Sequence, residues 1–264
     1  MYNNYAGITC ISDNDYKSND IYRNQDYDGG TKSSSIYVSN NYFTNSNKSS
    51  NMKKNTDGDM NMSFEGMFAC DDGVICFADN RNTRNNEIDT VRPFIKKIFN
   101  NDKIVVANYG LNEIFNFEYA TEPIEGRLTR IVEKDNSDVK QFIDKFSSYL
   151  KECKDNRTFK FFILNKAVDK MSEIWFENYE MKVVKASSNS LYCAPTWLID
   201  LFNEYLIKNN TRVVEMQDII NYLKDSIIPV LLTMEKAGLY SRISSTFDIV
   251  KVGIDKTEIE RIEN

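Results

Sequence analysis

The sequence predicts a layered α+β domain, most simply helices packed over stacked antiparallel sheets. Three observations point there: paired apolar runs joined by tight-turn residues, a helical stretch in the middle, and the element order strands, helix, strands, two helices, strand. The first pair is Phe64–Cys70 and Val74–Asp79, joined by Asp71-Asp72-Gly73. An Asp-Gly turn between apolar runs is the strongest short hairpin signal. The second pair is Phe94–Phe99 and Lys103–Tyr109, with a turn at Asn100-Asn101-Asp102 and an end at Gly110. Their near-continuous apolar character implies a sheet covered on at least one face.

Val139, Phe142, Ile143, Phe146, Tyr149 and Leu150 recur at spacings of three and four, with Ser137 as the expected N-cap. Strands return at Thr158–Leu164, Glu173–Glu177 and Lys182–Ala186. Two helices are then expected, Pro195–Ile207 and Met216–Lys236, the first with Trp197, Leu198, Leu201, Phe202 and Tyr205 on one face. A last strand at Phe247–Ile254 precedes a charged tail, Lys256–Asn264.

Residues 1–62 differ from everything after them. They contain no Leu, Trp or Glu, and Phe43 is their only Phe. Asn, Ser, Asp and Tyr dominate, so this stretch cannot bury enough apolar surface to offset its conformational entropy. It is expected to be a flexible low-complexity leader or propeptide, with Ile36-Tyr37-Val38 at most a transient strand. Residues 63–264 would form the domain.

Hydrophobic residues make up 41% of the chain and charged residues 27%, the balance of a globular protein. The net charge of -6 leaves no excess of cations to displace phosphate counterions, so no nucleic-acid partner is expected. Histidine is absent, which removes Ser-His-Asp and Cys-His mechanisms and every His-bearing metal site. Acid–base chemistry must use carboxylates, lysines, hydroxyls or a chain-terminal amine. The five cysteines form no CxxC pair, so no metal or cofactor is expected, and an odd, scattered set fits reduced thiols. No apolar run approaches the roughly 20 residues of a membrane span. The start, Met1–Tyr5, lacks the basic and apolar regions of a signal peptide, so the expected location is cytoplasmic, without membrane partners.

The run Ser63–Thr83 resembles the start of a proteasome β-type or HslV-like subunit, members of the N-terminal nucleophile (Ntn) hydrolases. In that family the mature chain begins with the nucleophile, crosses a strand to a Gly turn, and returns to Ala-Asp-x-Arg-x-Thr. Gly73, Asp79, Arg81 and Thr83 keep that spacing, and counting back places Ser63 at the nucleophile position. Lys96-Lys97-Ile98 resembles the family's lysine strand, and Gly110 sits where a substrate-binding glycine ends the next strand. Ser187–Ser190 resembles the Gly-Ser-Gly segment that sets a serine, here Ser188, beside the nucleophile. Ser244–Val250 resembles the final turn and strand. The resemblance is specific over the first 50 residues of this region and looser beyond.

The resemblance implies a four-layer α-β-β-α sandwich, a homo-oligomer such as a ring, and peptide or unfolded-protein substrates, and it leaves open whether there is an ATPase partner. It implies catalytic roles for Ser63, Asp79, Lys97, Gly110 and Ser188. Once freed by scission after Met62, the Ser63 amine, ordinarily near pKa 8, could accept the hydroxyl proton. Lys97 would keep that amine neutral, Asp79 would hold Lys97, and the Gly110 N–H would bond the oxyanion.

Three departures stand beside these matches. Serine replaces threonine, Tyr240 or Ser241 occupies the place of an aspartate before the final turn, and Leu111–Arg130, broken by Pro123 and Gly126, replaces a long helix. Taken singly, each residue also has an ordinary reading. Lys96-Lys97 could protect a strand edge, Gly73 and Gly110 could be turn glycines, and Asp79 with Arg81 could be a surface ion pair. Cys70 and Cys76 are expected to be buried packing. Three functions therefore stay open: a proteasome-like peptidase, a catalytically silent assembly or binding protein that keeps its leader, and, behind these, a small-amide hydrolase of the same superfamily.

Overall fold

A computed structural model describes residues 63–84, 87–115, 120–195, 198, 201, 215–238 and 243–263, with the Arg84 side chain excepted, and residues 6–11, 20–26 and 33–38 as backbone. Those first three segments are strands β1 (Ala6–Ile11), β2 (Asp20–Asp26) and β3 (Ser33–Val38). The Asp-Gly hairpin follows as β4 (Glu65–Cys70) and β5 (Gly73–Asp79), in register from Glu65↔Ala78 to Cys70↔Gly73. Gly73 has φ +142°, and a Cβ there would lie 2.1 Å from the Val252 carbonyl oxygen. Only glycine suits that turn.

A two-stranded ribbon, β6 (Thr83–Arg84) and β7 (Glu87–Ile88), leads to β8 (Ile98–Asn100) and β9 (Ile104–Tyr109). Asn101 closes the turn between β8 and β9, its Oδ1 accepting from Lys103 N at 2.7 Å and Ile104 N at 2.8 Å. A ribbon of β10 (Glu113–Phe115) and β11 (Thr121–Pro123) precedes the short helix α1 (Ile124–Leu128), which widens into a π turn at Thr129–Lys134. Helix α2 (Val139–Cys153) buries Phe142, Phe146, Tyr149 and Leu150, as its spacing predicts. Its N-cap is Asp138 rather than Ser137: Asp138 Oδ1 accepts from Gln141 N at 2.8 Å, and Gln141 Oε1 from Asp138 N at 3.0 Å.

Strands β12 (Phe159–Asn165), β13 (Lys170–Glu177), β14 (Glu180–Ser187) and β15 (Ser190–Cys193) come next. Of the helix expected at 195–207, residues 196–197, 199–200 and 202–207 lie outside the described residues, and the buried Leu198 is helical. Helix α3 (Met216–Tyr222) continues through a π segment, Leu223–Ile227, into α4 (Ile228–Lys236). Pro229, which has no N–H for the ordinary helical bond, is the second residue after the widened turn. The final pair is β16 (Phe247–Val252) and β17 (Thr257–Ile262), so the expected charged tail is instead a strand.

The strands assemble into an eight-stranded sheet ordered β17-β16-β5-β4-β15-β1-β2-β3 and a five-stranded sheet ordered β14-β13-β12-β9-β8. One apolar cluster, with Met67, Cys76, Val105, Phe162 and Leu191, joins the two sheets. A second lies under α3 and α4 around Phe64, Phe77, Tyr192 and Leu223. A third lies under α1 and α2 around Phe142, Phe146 and Phe161.

The expected four-layer α-β-β-α Ntn sandwich is corrected. Among the described residues strand outweighs helix, a β-rich α+β arrangement dominated by antiparallel sheets. The pair around Lys97 and Val105 does not share a sheet with Asp79: β8 and β9 belong to the five-stranded sheet, whereas Asp79 ends β5 of the eight-stranded one. That larger sheet also carries β1, β2 and β3 from the region expected to be a leader, and β1 pairs parallel with β15. The remainder of 1–62, with the Met62 side of the expected scission point, lies outside the described residues.

Gly73→Ala should destabilise the chain by about 1–3 kcal/mol or more, because the new Cβ meets backbone rather than a movable side chain. A urea titration with an unchanged midpoint would show that the turn and Val252 can separate without cost.

Candidate active site

Four side chains converge where the start of β4, the end of β5 and the segment before β8 meet: Ser63, Glu65, Asp79 and Lys97, all buried. The hairpin register creates half of this. Asp79 N donates to Phe64 O at 3.0 Å, and Phe64 N returns a bond to Asp79 Oδ2 at 2.9 Å. The carboxylate is thereby locked beside the backbone that carries Ser63. Alternation along the strand then sets Ser63 and Glu65 on one face, two residues apart. Lys97 arrives from the other sheet, its carbonyl accepting from Asn108 N at 2.9 Å.

Lys97 Nζ donates to Ser63 Oγ at 3.1 Å and to Asp79 Oδ2 at 3.0 Å, and stands 3.4 Å from Glu65 Oε1. Asp79 Oδ1 accepts from Arg81 N at 3.0 Å and Ser244 N at 3.3 Å, so its carboxylate takes four donors in all. Glu65 is the opposite case. Neither of its oxygens accepts a hydrogen bond of good geometry; Lys97, at 3.4 Å, and the Ser63 hydroxyl are its nearest donors and meet it in poor alignment.

Burial pushes the Glu65 carboxyl up to about 8, against its ordinary 4.5; the nearby Asp79 charge adds to the rise, and Lys97 and the Ser63 hydroxyl oppose it. Burial acts on Lys97 in the direction that would neutralise it, but the Asp79 and Glu65 charges and hydrogen bonds outweigh this and hold its ammonium above its ordinary 10.5. At neutral pH Lys97 is thus charged and Glu65 keeps its proton. Cys76, buried as expected, has its thiol pushed well up by burial and by Glu65.

A wider scaffold holds the end of β5. Arg81 pairs with Glu235 at 2.5 Å, and Glu235 accepts from Ser245 N at 3.2 Å and Ser245 Oγ at 3.1 Å. Helix α4 and the turn before β16 are therefore tied to the strand that presents Asp79. Arg81 also covers the Phe94 ring at 5.2 Å.

Of the five residues expected in the site, the structure brings together Ser63, Asp79 and Lys97. Gly110 follows β9 with φ +104°, half-buried, and joins none of these hydrogen bonds. Ser188 is exposed in the turn between β14 and β15, where its Oγ meets Asn189 Oδ1 at 3.4 Å. Nothing ties it to Ser63. Tyr240 and Ser241 lie outside the described residues. Sequence reasoning missed Glu65 and the Ser244 N–H. Strand alternation from Ser63 could have found the first, whereas the second depends on a fold-back of 165 residues.

Among the described residues no group of three or more Cys, Asp or Glu side chains is placed to hold a metal ion. None of the helices they form is long and apolar enough to cross a membrane. Comparison with models of known protein families finds no match, and no curated protein matches the chain. The chemistry must be argued from the cluster itself.

A carboxyl at about 8 in the folded chain and 4.5 unfolded keeps its proton only in the folded chain between those values. Folding stability should therefore fall as pH rises through that window, by up to a few kcal/mol for this group. Glu65→Gln should remove this component, measured as urea-unfolding free energies at about pH 5.5 and about pH 8.5. An unchanged pH slope in the variant would show that Glu65 titrates normally. Lys97→Met should cost about 3–5 kcal/mol, because it strands Asp79 as a buried, uncompensated charge.

Proposed function

We propose that this chain is a serine-type peptidase or amide hydrolase that uses Ser63 as its nucleophile, in the manner of the proteasome-like N-terminal nucleophile enzymes that its sequence resembles. The observation that carries the reading is the buried Ser63–Lys97–Asp79 relay, with bonds of 3.1 and 3.0 Å meeting at Lys97 Nζ. A serine hydroxyl needs a base, and the chain has no histidine to supply one. With scission before Ser63, the freed α-amine would take the hydroxyl proton, and Lys97 would keep that amine neutral through its charge. Asp79 fixes the lysine. The reaction class is acyl transfer to the Ser63 oxygen followed by hydrolysis of the ester. Peptides or unfolded protein are the proposed substrates, with a cytoplasmic location, a homo-oligomeric assembly and no nucleic-acid or membrane partner as parts of the same proposal.

A second reading is a silent assembly or binding protein with its leader retained. The burial of Ser63 and the separation of Ser188 from the cluster favour it.

The intact mass of purified protein separates the two. The enzyme reading expects a chain that begins at Ser63, only full-length chain from Ser63→Ala, and continued processing by Ser63→Thr. Lys97→Ala should lower peptide hydrolysis by about two to three orders of magnitude. Wild type that keeps its leader, together with a Ser63-initiated chain inert to peptides and to an N-terminal-nucleophile-directed epoxyketone, would leave the silent scaffold as the account.

A further inference from the structure

We propose that Glu65 is the base that takes the Ser63 hydroxyl proton while the Ser63 nitrogen is still part of a peptide bond; this rests on the Ser63 nucleophile proposed above. In the uncut chain the α-amine does not exist, and an amide nitrogen accepts no proton. Some other group must serve in the first turnover. Lys97 cannot, because the carboxylates around it hold its proton in place. Asp79 is saturated, with Phe64 N and Lys97 Nζ on one oxygen and Arg81 N and Ser244 N on the other.

Glu65 has the capacity they lack. Neither of its oxygens accepts a hydrogen bond of good geometry, the side chain is fully buried, and the Ser63 hydroxyl is close enough to act on the carboxyl. Its Oε1 and Ser63 Oγ lie 3.4 and 3.1 Å from the same ammonium. The groups around it are Lys97 and Asp79 from neighbouring segments, Cys76 on β5, and Cys193, which pairs with it across β15. A carboxylate of raised basicity is a better acceptor for a hydroxyl proton than an ordinary one.

The steps balance without an outside oxidant or reductant. The Glu65 carboxylate takes the Oγ proton as Oγ bonds to the carbonyl carbon of the peptide bond before Ser63. The carbon–nitrogen bond breaks, and Glu65 returns the proton to the leaving Ser63 nitrogen. Water then adds to the ester carbon, Glu65 receives its proton, and the departing Oγ regains it. The products are a carboxyl terminus and a free Ser63 amine and hydroxyl. Glu65 would act first, and the amine it releases would serve later substrates.

The test follows scission of full-length chain made by in-vitro translation across a pH series, read by intact mass. The wild-type rate should climb with pH to a plateau, with a midpoint near about 8. Glu65→Gln should cut about 100-fold more slowly or worse, with no such climb, and Glu65→Asp should recover part of both. Folding is checked separately in the uncut Ser63→Ala chain, whose infrared difference spectrum at about pH 7 should show a protonated carboxyl band that Ser63→Ala/Glu65→Gln lacks. Absence of that band overturns the inference, whatever the scission data show. Wild-type rate and pH profile in Glu65→Gln overturn it while leaving Ser63 as the nucleophile. Wild type uncut at every pH removes the Ser63 reading, and this inference with it.

Discussion

The structure depends on one buried ammonium. Lys97 leads into β8 of the five-stranded sheet, yet its Nζ is held by Ser63, Asp79 and Glu65 from the hairpin of the eight-stranded sheet. An isolated ammonium would be too costly at that depth. The hairpin must therefore present Asp79 at the spot where Lys97 arrives, and the two sheets are pinned at one end of their shared apolar cluster. Asp79 in turn ties in the Ser244 turn and Arg81, and Arg81 carries the constraint through Glu235 to α4. Backbone register, sheet stacking and the docking of a helix all pass through one carboxylate.

A second buried carboxylate shows what a structural one looks like here. On β13, Glu173 Oε1 accepts from Tyr109 Oη and, at 2.7 Å, from Trp175 Nε1. Trp175 Nε1 also reaches Tyr109 Oη at 2.8 Å. Burial pushes both Glu173 and Tyr109 up, and Tyr109 is further raised by the glutamate charge. Two donors meet its Oε1, although its Oε2 accepts no hydrogen bond. Glu65 sits at equal depth with an ion pair and no directed donor, although donors crowd the adjacent Asp79.

Much of the architecture was legible from local signals. The Asp-Gly hairpin, the apolar face of α2 and the strands from β12 to β14 follow from turn chemistry and period, which act within a few residues. The family resemblance that singled out Ser63, Asp79 and Lys97 also named three side chains that the structure brings together. What failed depends on distant partners. Strand β17 reads as a charged tail because its stabilising charges lie across the sheet: Arg261 faces Asp248 at 2.6 Å, and Glu258 meets Lys251 at 3.0 Å. No single segment reveals such cross-strand pairs. Strand β8 is only three residues long because Phe94 to Lys97 is occupied by the Arg81 bridge and by the lysine's reach into the site. The shift of the α2 cap by one residue has a local cause, since Ser137 Oγ is engaged with Lys145 at 3.1 Å. Sheet membership was the largest error. Two adjacent apolar pairs look alike in sequence whether they share a sheet or face one another across a core.

The composition of the cluster itself argues for chemistry over scaffolding. A core built only for stability would replace Glu65 with an apolar side chain of similar volume, since swapping buried charge for packing is often neutral or favourable by 1–4 kcal/mol. The Lys97–Asp79 bond does not depend on it and Asp79 already has its donors, so Lys97 would lose only the weaker hold that Glu65 adds. Glu65 adds a second negative group beside Asp79 once it ionises, and that repulsion raises its own proton affinity. The result is a carboxyl poised within reach of neutral pH, next to a hydroxyl that a fixed ammonium also touches. A costly arrangement of this kind is expected where titratable groups do work, because the neighbours that lower stability are the ones that tune proton affinity. Stability alone accounts for Asp79 and Lys97. It does not account for Glu65.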